Sequence, residues 1–478
     1  MVHAGLAANG PRTGGERAAN TGRQAVRAAR ITGLPTIKIA SPPTLPTLPS
    51  LPIPPIPPMP AAPSPPSSCD VLVVGAGPAG SACALWLARQ GQQVVLVDQH
   101  NFPRDKVCGD GLIPDAHHAL MRLGVHAEVM AQARSLSHVG CIGPNGSRVD
   151  VPGQLAVLPR RLLDDIIKRA AERAGARFFA PWRFEAPLLD ESAGGDGPAT
   201  VVGARLKSPG AGECEVRARW VVLATGAVPR ALLAADLCDR RTPSGIALRG
   251  YVHHPAMTDH IRALEVVWHK QLHGGYGWIF PCPDGVFNIG VGLAHSHAKQ
   301  VRGRATMADV NLREMLVAFT RIHAPAAALM AGGQLVGELK GAPLRCSLEG
   351  GRYSRPGLLV TGEAAGSTYA FTGEGIGKAM ETGLLAAEAL TAAATGGVDE
   401  TSTRAGYEAA LGALKPRFDL YERANRVNEL PWLTNLLIWR ANRSPRILRR
   451  MAAVLEEKGN PGNLVSLRGL TRLFLPIR

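Results

Sequence analysis

Six residues, Gly75-Ala76-Gly77-Pro78-Ala79-Gly80, are spaced to wrap the phosphates of a dinucleotide. In such a loop the first glycine permits a tight turn. The second lets the backbone approach a pyrophosphate, and the third lets helix and strand pack closely. Here these are Gly75, Gly77 and Gly80, with Ala79 between the last two. The phosphates then sit at a helix N-terminus, where unpaired N–H groups and the helix dipole favour anions. Asp98, eighteen positions beyond Gly80, can accept both hydroxyls of an adenosine ribose. A loop of this kind serves FAD and NAD equally, so later segments must decide. Val221-Val222-Leu223-Ala224-Thr225-Gly226 reads as a strand ending in a small-residue turn. Leu358 to Gly366, with Glu363 inside it, is another, and it leads into Phe371-Thr372-Gly373-Glu374-Gly375-Ile376-Gly377. This second glycine-rich turn opens a second helix, whose N-terminus can stabilise negative charge on a reduced isoalloxazine near N1 and O2. The pattern points to FAD.

These loops need a scaffold. Asp70 to Val74 is a short β-branched run, as in a buried parallel strand, followed by a helix over 81–90 and a second strand over 93–98. Arg160 to Ala174 reads as a further helix, Trp220–Leu223 and Leu358–Thr361 as buried strands, and Gly375 to about Thr391 as a long Ala-rich helix. Residues 246–292 look like an antiparallel sheet. The expected fold class is therefore α/β. A Rossmann-like FAD-binding domain over 69–245 and 346–395 is interrupted by an antiparallel-sheet substrate domain over 246–345. A basic helical region over 396–478 follows. Residues 1–68 look unstructured, with prolines recurring every two or three positions from Pro42 to Pro66, a polyproline II spacer.

The bulk numbers agree with an enzyme. The 478 residues are 46% hydrophobic and 19% charged, enough to build a core that encloses a cofactor. The formal charge of +15 sits mostly at the ends: six basic residues and one acid in 1–68, thirteen basic residues and five acids in 415–478. The middle is close to neutral, so no nucleic-acid partner is expected. The eight cysteines are scattered, with no Cys-x-x-Cys pair, which argues against a zinc site or a disulfide framework and for a reducing cytoplasm. The Arg- and Ala-rich, acid-poor N-terminus is also what an organelle transit peptide would show. From Pro431 to Leu455 tryptophans and arginines are interleaved, split by Pro445 into two short helices. Two readings stand side by side: a helical cap over the substrate domain, and a peripheral contact with an anionic membrane surface.

Several motifs, in order, resemble the geranylgeranyl reductase family of flavoproteins, within the wider group sharing the para-hydroxybenzoate hydroxylase fold. After the dinucleotide loop comes Phe102-Pro103-Arg104-Asp105-Lys106-Val107-Cys108-Gly109-Asp110-Gly111-Leu112, similar to the family's Lys-x-Cys-Gly signature. Arg160, ahead of Leu163-Asp164, resembles the arginine opening the family's flavin-contacting helix. Ala247-Leu248-Arg249-Gly250-Tyr251 is similar to an arginine-containing strand of the family. Tyr276-Gly277-Trp278-Ile279-Phe280-Pro281 resembles its Tyr-x-Trp-x-Phe-Pro motif, followed by Asn288-Ile289-Gly290-Val291-Gly292. Glu363 departs from the pattern, where the family usually carries Asp against a ribityl hydroxyl. The resemblance covers residues 70–395. It implies flavin contacts at Arg104, Cys108, Gly109 and Arg160, and hydride transfer from reduced FAD to a carbon–carbon double bond of a prenyl chain. NAD(P)H or a ferredoxin-type protein would be the transient donor.

Three residues are candidates for the reacting surface. Cys108 either supplies a proton or tunes the flavin, or packs as a small apolar residue. Tyr276 and Trp278 alternate with Phe280 on one strand face, either walling a hydrophobic-substrate pocket or filling a sheet core. Arg249 either holds a flavin or substrate headgroup or pairs with an acid. The alternative activity on this fold is an aromatic monooxygenase or halogenase, distinguishable by oxygen consumption.

Overall fold

The computed structural model describes residues 63–190, 198–294, 300–301, 304–305, 310–425, 428 and 430–460. Most of the proline-rich extension and the last eighteen residues of the basic region therefore lie outside the described residues.

The first sheet is built on a parallel core. Its order runs Arg177–Phe179, Val94–Val97, Ser68–Val74, Gly212–Leu223 and Leu358–Val360, with Ser354–Arg355 antiparallel at the edge. The central strand is apolar on both faces because both faces are covered: Val71 to Val74 are at most 4% exposed. The strand ends at Val74, and Gly75 turns the chain at φ +101°, a conformation that side chains disfavour. The next helix, Pro78–Arg89, starts on a proline, whose missing N–H costs nothing in the first turn. Helices Arg160–Arg173 and Ile376–Gly396 pack beside it. A hairpin, Arg183–Asp190 with Thr200–Ser208, extends the strand Gly212–Leu223.

The second sheet has eight strands, in the order Gln334–Leu344, Gly245–His253, Val286–Ala294, Tyr276–Pro281, Leu264–Val267, Arg134–Ile142, Arg148–Val157 and Gly111–Leu112. All pairings are antiparallel except Leu264–Val267 with Arg134–Ile142. Three of its strands come from the stretch 69–245, assigned on sequence wholly to the flavin-binding domain. The chain leaves the parallel sheet after Val97, builds this outer edge, and returns through the helix Arg160–Arg173. The two layers are thus more deeply interleaved than spacing alone indicated.

The C-terminal region is helical, as expected. Glu400–Ala424 packs on Ile376–Gly396. Pro431–Ala441 and Pro445–Leu455 each begin on a proline and bury Leu433, Leu437, Ile438 and Ile447 against Val149 and Val151. They cap the second sheet. Among the described residues no single helix is long and apolar enough to cross a membrane.

Candidate active site

One cavity of about 730 Å³ draws its walls from both sheets and from the C-terminal helices. Gly75, Gly77, Ala79, Asp98, Arg104, Cys108, Gly109, Arg160, Gly226, Glu363, Gly373, Gly375 and Ile376 all line it. Gly80 does not. It lies beneath the loop, where an added Cβ would stand 1.8 Å from the carbonyl oxygen of Gly75. That is the close helix–strand packing its position implied.

At the loop end, the space over Gly77 is faced by two guanidinium groups. A Cβ there would sit 3.6 Å from Arg104 Nη2 and 3.8 Å from Arg160 Nη2. Asp164, fully buried, holds both: Arg160 Nε donates at 2.6 Å and Nη2 at 2.9 Å, and Arg104 Nη1 lies 3.0 Å away. Two cations, a bare backbone turn and a helix N-terminus suit a pyrophosphate, so the residues fit the dinucleotide half of FAD. Asp98 is partly committed. Its carboxylate accepts from Ala76 N and His100 N, both at 2.9 Å, and Arg104 Nε is 3.4 Å away. It therefore braces the glycine loop as well as facing the ribose position.

Gly226 (φ +74°), one residue beyond the Thr225 that lies against Gly75, and Gly373 (φ +70°) take left-handed conformations. A Cβ at Gly373 would meet the Tyr276 hydroxyl at 2.2 Å, so the glycine lets the turn close over that strand. Tyr276 in turn donates to Thr372 O at 3.1 Å. The carboxylate of Glu363, the residue departing from the family pattern, stays in the cleft, 3.9 Å from Lys106 Nζ and 3.5 Å from Thr368 Oγ1.

Cys108 lines the cavity next to Gly109, which fits closely against the Phe280 ring, 3.0 Å from an added Cβ. Burial pushes the Cys108 thiol up, against the opposing pull of Arg160, so it is held protonated rather than as a thiolate. Trp268, Tyr276, Trp278 and Phe280 form a ladder with ring centroids 6.1–6.5 Å apart, and all four line the cavity. The Trp278 indole N–H is already used, donating to Asn288 Oδ1 at 2.9 Å, so Trp278 contributes a wall rather than a free donor.

Arg249 resolves as a structural pair. It is 1% exposed, bonds Asp105 and the Lys106 carbonyl, and lies 4.2 Å over the Tyr251 ring.

Sequence reasoning missed Asp110 and Asn288. Asp110, fully buried at φ +66°, accepts from Tyr251 OH (2.6 Å), Asn288 Nδ2 (2.8 Å) and Arg160 N (3.2 Å). Asn288 Nδ2 also donates to Cys108 O at 2.7 Å. Together they pin the Cys108 loop to the second sheet. The available signal was an asparagine inside the apolar strand Val286–Ala294, since a buried amide needs partners.

Comparison with known proteins agrees with this geometry. The family model described as an FAD binding domain matches residues 68–246. The chain is 34% identical to the menaquinone reductase of Mycolicibacterium smegmatis over 357 residues, 70% of this chain and 78% of that protein. It is 28% identical to digeranylgeranylglycerophospholipid reductase 1 of Methanopyrus kandleri over 342 residues, 71% of this chain and 83% of that protein. Among solved structures, a geranylgeranyl bacteriochlorophyll reductase-like protein of Thermoplasma acidophilum shares the fold, with TM-score 0.63 and 21% identity over 85% of this chain and 96% of that one. The chain is an FAD-dependent oxidoreductase and belongs to the geranylgeranyl reductase family.

Proposed function

We propose that this protein reduces carbon–carbon double bonds in the side chain of a prenyl lipid or prenylated quinone. The observation that carries the reading is the chamber continuing from the Cys108 loop. Its walls are the aromatic ladder, Val139, Val151 and Leu264 from the second sheet, and Leu437, Met451 and Leu455 from the C-terminal helices. A long apolar chain fits such a lining, and the names of the relatives, menaquinone reductase and digeranylgeranylglycerophospholipid reductase, support it.

In this reading Gly75, Gly77, Ala79, Arg104 and Arg160 hold the pyrophosphate of FAD and Asp98 the ribose. Gly226, Glu363 and the turn Gly373–Ile376 hold the ribityl and ring portions. Bound there, reduced FAD supplies a hydride to one alkene carbon. The protein's own part is orientation and exclusion of water. The aromatic ladder fixes the chain, and the Asp110–Asn288 network fixes the loop that carries Cys108. NAD(P)H or a ferredoxin-type protein docks transiently as electron donor. Lipid analysis of cells with and without this protein is expected to show isoprenoids gaining two hydrogens per reduced bond. Identical isoprenoid saturation in both would refute the reading.

A lipid substrate also gives the outer face of the cap a use. Trp432 (58% exposed) and Trp439 (44% exposed) lie seven residues apart, on one face of their helix, and Arg443 stacks 4.8 Å over Trp439. Arg446, Arg449 and Arg450 are exposed on the next helix, and no acid occurs between Pro431 and Leu455. In this proposal the face rests on anionic lipid. Binding to phosphatidylglycerol vesicles is expected to exceed binding to phosphatidylcholine vesicles and to fall severalfold in Trp432→Ala/Trp439→Ala. Equal sedimentation of parent and variant would remove the membrane role.

A further inference from the structure

Saturating a double bond takes two hydrogens, and a hydride accounts for only one. The other arrives as a proton at the neighbouring carbon, inside a chamber whose walls are largely apolar. Glu374 also lines the chamber. It sits between Gly373 and Gly375, in the turn that opens the helix Ile376–Gly396, and Tyr276 and Tyr421 line the chamber with it.

Behind Glu374 lies a buried charge cluster that the flavin site does not use. Lys378, only 2% exposed, is 2.5 Å from Glu381 Oε2, 2.8 Å from Glu457 Oε2 and 3.8 Å from Asp115 Oδ2. Arg417 Nη1 reaches the same Glu457 oxygen at 2.8 Å. Three carboxyl groups (Asp115, Glu381, Glu457) thus share two cations, and Glu374 lies four residues before Lys378. Asp115, the carboxyl least matched by a close cation, is out of water and so favours its protonated form. Its side chain is 6% exposed, and among the described residues neither of its oxygens has a hydrogen-bond partner. It fits only because position 377 is glycine, where a Cβ would lie 2.2 Å from Asp115 Oδ2. Glu457, whose side chain is 10% exposed, closes the outer end next to the more exposed Arg417.

We propose that Glu374 donates the proton to the alkene carbon that does not receive the hydride, and that Glu457 and Asp115 return a proton to it from solvent. The π bond opens and two C–H bonds form. The hydride brings its electron pair from the reduced flavin, and the proton leaves Glu374 as a carboxylate until it is reloaded. Burial, with Asp115 and Glu457 beside it, holds the Glu374 carboxyl well above the usual carboxylate range. Burial likewise pushes Asp115 up to about 7, against the pull of Lys378. Asp115 is therefore placed to exchange protons near neutral pH, and Glu374 to hold one until it is given up.

This proposal rests on the alkene-reductase reading, and its test separates the two. Holoprotein is reduced anaerobically and mixed with menaquinol, whose ring is already reduced and whose side chain is unsaturated, in detergent micelles, while flavin reoxidation is followed by absorbance and side-chain saturation by mass spectrometry. Glu374→Gln is expected to keep its FAD and to be reduced normally, but to reoxidise at least about a hundredfold more slowly than the parent. Solvent deuterium is expected to slow the parent and not the variant. Independently of turnover, the infrared spectrum of the holoprotein near neutral pH is expected to contain a protonated-carboxyl band that Glu374→Gln removes. Asp115→Asn, expected to slow reoxidation less and to shift its pH profile, carries the kinetic test if Glu374→Gln fails to hold FAD. Reoxidation of both variants at the parental rate, or an infrared band unchanged in Glu374→Gln, overturns the assignment of Glu374. A parent protein that menaquinol cannot reoxidise, with no hydrogens gained by the side chain, overturns the substrate reading, and this proposal with it.

Discussion

Gly80→Ala is expected to purify without flavin colour. The added methyl would stand 1.8 Å from the Gly75 carbonyl oxygen and 3.1 Å from Ala224 Cβ. Neither neighbour can swing aside, because one is backbone and the other belongs to a turn following a central strand. The helix Pro78–Arg89 must move instead, and ten of its twelve residues are buried. Overpacking of this kind costs about 1–3 kcal/mol of stability. The larger effect falls on the cofactor, because the same helix supplies the N-terminal N–H groups opposite the pyrophosphate position. Flavin-to-protein absorbance ratios and thermal unfolding measure the two effects separately. Stoichiometric FAD in purified Gly80→Ala would show that the loop tolerates the displacement and that the phosphates are held elsewhere.

Asp110→Ala is expected to be the most destabilising single change near the site. It strands three donors, Tyr251 OH, Asn288 Nδ2 and the Arg160 amide, in a buried setting. It also puts alanine at φ +66°. A loss of about 4 kcal/mol follows from the usual cost of unsatisfied buried groups, a large part of the margin of an ordinary domain. Asp110→Asn, which tolerates the left-handed backbone and keeps one acceptor oxygen, should recover part of it. A pH signature accompanies the loss. Burial, opposed by the bonds from Tyr251 and Asn288, pushes the Asp110 carboxyl up from 3.8 to about 6. The folded chain therefore holds this proton more tightly than the unfolded chain. The resulting stabilisation is complete below pH 3.8 and fades as the pH rises through about 6. Asp115, pushed up to about 7, acts in the same sense over a higher window. Denaturant unfolding across this range should show the parent losing stability with rising pH and Asp110→Ala losing less. A variant that unfolds with the parent's midpoint and pH slope would show that the network does not hold the Cys108 loop.

The legible parts of this protein are local ones. The strand Ser68–Val74, its glycine turn and the helix after it form one continuous run of sequence, with hydrophobic pattern, turn residues and helix start in agreement. The same holds for Pro431 and Pro445, each of which begins a helix where a proline is cheapest. What could not be read is held together by topology. Asp110, Arg160, Tyr251 and Asn288 belong to four separate segments, and only the interleaving of the two sheets brings them to one point. Lys378 is likewise placed by topology: the carboxyl groups around it come from Asp115, from Glu381 three residues further along its own helix, and from Glu457. Arg249 was open to either role on sequence, because its partner Asp105 lies 144 positions away.

The interleaving also bears on how the chain is made. The parallel sheet receives Leu358–Val360 only late, and the chamber receives its last wall from Leu437, Met451 and Leu455. A chain emerging from the ribosome therefore carries the Val149 and Val151 face of the second sheet uncovered until Pro431–Ala441 and Pro445–Leu455 are made. Chaperone demand should be highest in that interval, and nascent chains halted before the two capping helices should be the ones that aggregate.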